Sequence, residues 1–528
     1  MRITRAKEVL LSHRIPKDCI YLCVYASFII YLLFESGIVS DDFSFLLAPQ
    51  DKTVFDSVTS NFLLPKRPLL QLLYVTLYTF CSLENLIVIN IAKIVYIVLA
   101  FYMIAKFFSI FLSQSTSFLA SFLFIFFPTH DATTYWFISQ YLTASIALHL
   151  YSYYLLEKEK VSVAIIFSFM ASFFSYGSTP LALSLFSLCL FKNKYRKGLV
   201  VFILPNIIYI FYYYACSKLI SDTVVRMPSS IDFLVISKNY IIQAFSFLDA
   251  NLGPSLFFKI YYSALAIDPV SFVITAIFFT VLVLVSKTTN ISARKESTDR
   301  HLLGALLILT LSSCGMFALT NLFPQLTFNL GNRVSIFGSL LSVYLIVRIP
   351  LKCNLRILII FVLFISIGGV STHWKQWHHH QMNVIHNIEK NKELLVYNEN
   401  TPLYVSGNQY SKLGPFSHIE FFSESWVVDS VFKLAGHGHV SAISLNKRFF
   451  WDNGRLINKK MDSSIQLQGE IAIYDSERDK FFMLPGGSKL NDYIAELPDD
   501  KRHWLQLINN QRVNSLITTL MPRLKYAF

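Results

Sequence analysis

Charge is what this sequence has least of. Acidic and basic residues together make up 15%, against about 25% in a soluble protein of ordinary composition. Cysteines are few, show no framework spacing and stop at Cys353, so no disulfide scaffold organises the chain. No Walker, Rossmann or Gly-Xaa-Ser-Xaa-Gly pattern occurs, which removes the usual nucleotide cradle and the serine nucleophile. Internal repeats are also missing, which argues against a transporter built from matched halves. The basic leader Arg2, Arg5, Lys7, Arg14 and Lys17 precedes an apolar run without a small-residue cleavage site, so that run reads as a retained anchor.

What is plentiful is apolar sequence. Hydrophobic residues reach 54% and the mean hydropathy is +0.48, arranged in repeated runs of membrane-spanning length. That pattern predicts a polytopic membrane protein. The net charge of +13 does not point to nucleic acid, because the positive residues cluster in short links between apolar runs. Such clustering marks cytoplasmic loops beside anionic lipid.

The first span is expected over about 19–39. Residues 69–80, after Pro65-Lys-Arg-Pro68, are apolar but short, and charge decides how to place them. Laid in the outer interface as a horizontal helix, they leave later spans at roughly 86–105, 116–128, 137–156, 161–176, 180–191, 199–217, 266–286, 302–321, 334–347 and 355–370. The inner links then hold Lys158, Lys160, Lys192, Lys194, Arg196, Lys197, Lys287, Arg294, Lys295, Arg300, Arg348, Lys352 and Arg356. The expectation is therefore eleven spans in an all-α membrane module over 1–370, with the amino terminus cytoplasmic. Residues 218–256 read as an outer loop of mixed character. From 371 the long apolar runs cease, and alternating stretches such as Leu403-Tyr-Val-Ser406, Glu470-Ile-Ala-Ile-Tyr474 and Lys480-Phe-Phe-Met-Leu484 read as strands, with a helix near Ile494–Leu507. Residues 371–528 are expected to form a small α/β extracytoplasmic domain.

With that topology, polar features gather on the outer face. Asp41 and Asp42 end the first span; they serve either as a charged helix end or as a general base that takes a proton from an attacking hydroxyl. Arg333, after Asn332, is a snorkelling arginine or a charged fork on a phosphate. Arg67 is a second such fork or a loop anchor. His130 and Asp131 follow Pro128, with Tyr135 and Trp136 as belt aromatics or as walls of a sugar pocket. A divalent cation at His130–Asp131 would need further ligands from distant loops, so no cofactor is assigned. The tract His378-His379-His380 near Trp374 and Trp377, and His437 with His439, read as anchoring or packing residues rather than metal ligands. Lys93 and His149 fall inside expected spans and either face a polar interior or snorkel.

In order along the chain, these motifs resemble the C-type (GT-C) superfamily of integral-membrane glycosyltransferases, which includes protein mannosyltransferases and bacterial and tetratricopeptide-linked relatives. The matching residues are Asp41-Asp42 in the first outer loop, Arg67-Pro68-Leu-Leu opening a loop helix, Asn90, the loop Phe126-Phe-Pro-Thr-His130-Asp-Ala-Thr-Thr-Tyr-Trp136, and Arg333 before a late span. Tyr176-Gly-Ser-Thr-Pro180 stands where relatives often carry a glutamate, and here the glutamate is lacking. The resemblance covers roughly residues 15–350. It implies a GT-C-like helical module in the bacterial cytoplasmic (inner) membrane. The implied reaction moves a sugar, with inversion, from a polyprenyl-phosphate donor to a glycan, lipid-linked or protein acceptor outside the membrane. Asp41 or Asp42 would be the base. Arg333 and Arg67, with His130, Asp131, Tyr135 and Trp136, would bind the substrates. Two other readings stay open at this point: a surface-polysaccharide polymerase of O-antigen type, and a lipid-linked-sugar flippase.

Overall fold

The computed structural model describes residues 17–49, 66–219, 232–289, 299–319, 325–348, 353–397, 402–458, 463–466, 470–498 and 511–520. Most of the leader, Arg294, Lys295 and Lys352 lie outside these residues, as do positions 499–507 of the expected helix near Ile494–Leu507.

The chain is mostly helical, with a small C-terminal sheet region. Among the described residues six helices are long and apolar enough to cross a bilayer: Ile87–Phe108, Tyr195–Leu219, Pro269–Ser286, Arg300–Leu319, Leu330–Arg348 and Asn354–Lys390. Their periodicity explains their placement. In Ile87–Phe108, Ile87, Ile91, Val95 and Leu99 form an exposed apolar stripe, while Ile89, Lys93, Ile97, Ala100 and Ile104 are buried on the opposite side. A helix with apolar residues outside as well as inside suits hydrocarbon, not water. Shorter apolar helices, among them Val161–Phe174 and Thr179–Phe191, fill the bundle between these six. Pro68–Phe80, expected as a horizontal element, is an α-helix over Pro68–Leu73 that tightens to a 3-10 helix over Val75–Phe80. The mixed loop expected at 218–256 contains structure that its sequence hid: helix Phe233–Leu252, capped by the Asp232 carboxylate, and helix Pro254–Ala266 behind it.

The last apolar run does not stop at 370. It belongs to one 38-residue helix, Cys353–Lys390, so the boundary expected at 371 falls inside a continuous element. Gly368 and Gly369 let its neighbours in. A Cβ at 369 would lie 1.7 Å from the Ser263 carbonyl oxygen, and one at 368 would lie 2.7 Å from the Thr275 hydroxyl. Small residues allow such backbone contact between membrane helices.

Beyond this helix the described residues include nine short strands. β1 (Leu403–Ser406), β4 (Ala442–Ser444), β8 (Glu470–Asp475) and β9 (Lys480–Pro485) make one sheet in the order β4-β1-β8-β9. β1 is parallel to both β4 and β8, while β9 returns antiparallel to β8. The parallel β1–β4 pair needs a crossover, supplied by the hairpin β2 (Tyr410–Leu413) and β3 (Phe416–Glu420) and by helix Ser425–Leu434. β5 (Phe449–Asp452), β6 (Arg455–Asn458) and β7 (Ser463–Gln466) form a separate meander. The β2–β3 hairpin reaches the helices: the Phe416 ring packs on Phe328 at 4.4 Å, tilted by 41°. Helix Ser425–Leu434 packs on helix Asp41–Leu47.

Candidate functional site

The two adjacent carboxylates have different surroundings. Asp42 is fully buried. Its Oδ1 accepts hydrogen bonds from the Tyr78 hydroxyl (2.6 Å) and the Ile138 amide (3.3 Å), and its Oδ2 from the Val39 amide (3.0 Å). Burial pushes its carboxyl up to about 6, against the pull of those donors and of nearby Lys93. Asp41 is half-exposed in the first turn of the same short helix, where the Trp426 indole donates to its Oδ1 at 2.9 Å. Only Asp41 is open to an incoming molecule.

Above Asp42 lies the 3-10 turn Phe137–Gln140, flanked by Trp136 and Tyr141. Each of these rings carries an arginine. The Arg333 guanidinium sits 4.9 Å from the Trp136 ring centre and that of Arg67 lies 5.9 Å from Tyr141. Stacking of this kind fixes the orientation of a planar cation. Arg333 has no carboxylate partner among the described residues. Trp136 with Arg333 and Tyr141 with Arg67 thus flank one short turn that is bonded to Asp42, the neighbour of Asp41.

Asp131, expected to touch substrate, lies in a buried network. It is 1% exposed and enclosed from four sides. Trp374 of the long helix donates to its Oδ2 at 2.9 Å, His418 of β3 donates to the same oxygen at 2.8 Å, and Lys259 lies 3.3 Å away. The Asn332 side chain donates to Oδ1 and accepts from the Ala132 amide at 3.3 Å. The Asn329 amide donates to His418 Nδ1 at 3.2 Å. The His418 proton therefore sits on Nε2, facing Asp131, in a ring whose basicity burial lowers. Burial alone would raise the Asp131 carboxyl, but His418, Lys259 and Trp374 outweigh it and hold it well below the usual carboxylate range. Burial also lowers the Lys259 ammonium to about 8, with Asp131 opposing the shift. Asp131 is a junction where the C-terminal sheet region, two helices and the Arg333 turn meet.

His130 is buried with Nδ1 2.8 Å from the Thr133 hydroxyl, and burial pushes its imidazole down to about 4, so the ring is neutral. Tyr135 stacks on Trp374 at 5.4 Å. Both residues brace the loop from inside. Elsewhere, Lys93 faces the protein interior, donating to the Ser36 hydroxyl and the Gly37 carbonyl at 2.7 Å each. His149 faces inward as well, 3.3 Å from the Ser168 hydroxyl. In the histidine tract, His378 packs on Gly37, whose φ of +61° and lack of a Cβ give the ring its room. His437 bonds to the Ile388 carbonyl at 2.9 Å.

Lys259, Trp374, His418, Tyr78 and Trp426 were not anticipated as partners of the acidic residues. Lys259 alone carried a usable signal, a lone cation within Phe257-Phe-Lys-Ile-Tyr261, which has to find a partner when buried. Comparison with family models, curated proteins and solved structures finds no match to this chain.

Proposed function

We propose that the chain is a membrane glycosyltransferase that moves a sugar from a polyprenyl-phosphate donor to an acceptor hydroxyl outside the membrane. Asp41 accepts the acceptor proton as the hydroxyl oxygen attacks the anomeric carbon. The bond from that carbon to the phosphate oxygen breaks with inversion, and the electron pair leaves on polyprenyl phosphate. Arg333, with Arg67, stabilises that growing charge. The observation that carries this reading is an accessible Asp41 next to Asp42, whose carboxylate accepts from Ile138 in a turn flanked by two arginine-bearing rings, Trp136 and Tyr141. Asp42 positions this turn, Asp131 positions the turn that carries Arg333 through Asn332, and neither touches substrate.

The same reading extends to the membrane. Helices cover most of each of the eleven segments read as spans, including the short ones. Glu157 pairs with Lys194 and Lys192, and Glu159 with Lys197, at the bundle end opposite the C-terminal sheet. This charge distribution favours that end as cytoplasmic in a bacterial inner membrane, with the C-terminal region outside.

The test is an assay of purified protein with polyprenyl-phosphate sugars, scored for donor consumption and product. Asp41→Asn is expected to lower transfer by about 10²–10⁴-fold, the usual worth of a positioned base, while the protein remains folded. Unchanged transfer by that variant would sink the base assignment. A product formed by joining lipid-linked oligosaccharides would indicate a polymerase, and donor movement without product a flippase.

A further inference from the structure

At the end of the bundle that carries the Glu157 ion pairs, five helices leave a groove of about 220 Å³ between them. They are Lys17–Leu33, Gln114–Ile125, Pro269–Thr289, Ile336–Arg348 and Cys353–Lys390. Its mouth is polar, with Ser115, Thr116, Ser286 and Arg356, and its walls are apolar, including Leu119, Leu282 and Ile360. Aromatic rings close the floor: Phe364 stacks on Phe122 at 5.0 Å and meets Phe279 edge-on at 5.4 Å.

The mouth is built for an anion. Arg356 is exposed and has no ion pair or hydrogen bond among the described residues, unlike Lys194 and Lys197 nearby in charge pattern, which are neutralised by glutamates. A cationic pocket between membrane helices, next to other basic residues, selects a lipid phosphate. The depth selects the kind of lipid. From Arg356 to Phe364 is eight helical residues, about 12 Å. This is less than half of the ~30 Å hydrocarbon core, so the groove accommodates chain from one leaflet only and stops short of what a membrane-long polyprenyl chain would occupy.

We propose that this groove binds an anionic glycerophospholipid, its phosphate on Arg356 and the hydroxyls, and the upper part of one acyl chain against the aromatic floor. The proposal does not depend on any transfer reaction. It is tested by native mass spectrometry of the full chain in detergent with added phosphatidylglycerol or phosphatidylcholine. Wild type is expected to retain phosphatidylglycerol in preference. Arg356→Gln should reduce that retention about fivefold, the worth of one interfacial cation. Leu282→Trp, which fills the groove and leaves the charge, should reduce retention of both lipids. Millimolar inorganic phosphate should displace neither. Equal retention of the two lipids by wild type, undiminished phosphatidylglycerol on Arg356→Gln, or displacement by free phosphate would overturn the proposal. So would stronger Arg356-dependent retention of undecaprenyl phosphate.

Discussion

The two ends of the helical bundle use charge in opposite ways. At one end Glu157, Lys194, Lys192, Glu159 and Lys197 form ion pairs with side chains 18–62% exposed. Water screens them, and such pairs contribute about 0–1 kcal/mol each. At the other end Asp131, Lys259 and His418 have side chains at most 1% exposed, and Asp42 is sealed. There each charge must be matched, because a buried ion left without its partner is strongly destabilising. The first set carries the charge from which we propose the chain's orientation in a membrane. The second decides how the C-terminal region seats on the helices.

Substitutions can break this contrast, and their effects descend in order. Asp131→Ala strands Lys259 and should cost about 3–5 kcal/mol, read as a large fall in thermal unfolding temperature or loss of folded protein. His418→Ala removes one donor and leaves the Asn329 amide unpaired, at about 1–3 kcal/mol. Limited proteolysis should then cut first around the β2–β3 hairpin, and cleavage elsewhere would show that the hairpin is held by other contacts. Glu157→Gln should change stability by less than about 1 kcal/mol; a larger loss would mean that the two ends do not differ as described.

Acidity sharpens the comparison, since the two buried carboxylates respond with opposite signs. Asp131 is held below its ordinary value, so its contribution is present above pH 3.8 and is lost as pH falls below it. The stability gap between wild type and Asp131→Asn should narrow there. Asp42 is raised to about 6 from 3.8, so the folded state binds the extra proton between those values. Wild type should therefore gain stability relative to Asp42→Asn as pH falls from 6 to 3.8. Parallel unfolding curves for wild type and Asp42→Asn across that window would rule out a raised Asp42.

Much of the helical frame was legible because the hydrocarbon imposes it: apolar runs of span length are hard to hide. The parts that misled are those where burial reassigns a polar residue. Asp131, beside His130 and near two aromatics, had the composition of a binding loop, yet its partners Lys259, Trp374 and His418 are 128, 243 and 287 residues away. No local pattern encodes such a meeting. Asp41 and Asp42 were indistinguishable as neighbours in sequence, and only the position of Tyr78 and the Phe137–Gln140 turn separates the sealed carboxylate from the accessible one. Residues 218–256 read as a loop because Lys238, Asn239, Gln243, Asp249 and Asn251 interrupt the apolar run. Most of these polar side chains are buried against the neighbouring helices instead of facing water.

Helix Cys353–Lys390 also acts as a ruler. Its 38 residues measure about 57 Å, nearly twice the ~30 Å hydrocarbon core. The Ser371 hydroxyl bonds to the Leu32 carbonyl and Trp374 to Asp131, so registration is set at that level and the sixteen residues after Trp374 extend about 24 Å further as one rod. The standoff and the azimuth of the C-terminal region are therefore counted in residues. One residue inserted after His380 would advance everything beyond it by about 1.5 Å and turn it by about 100°, carrying β3 and its histidine away from Asp131. Insertions near one or two whole turns would come closest to restoring the azimuth, though never the height.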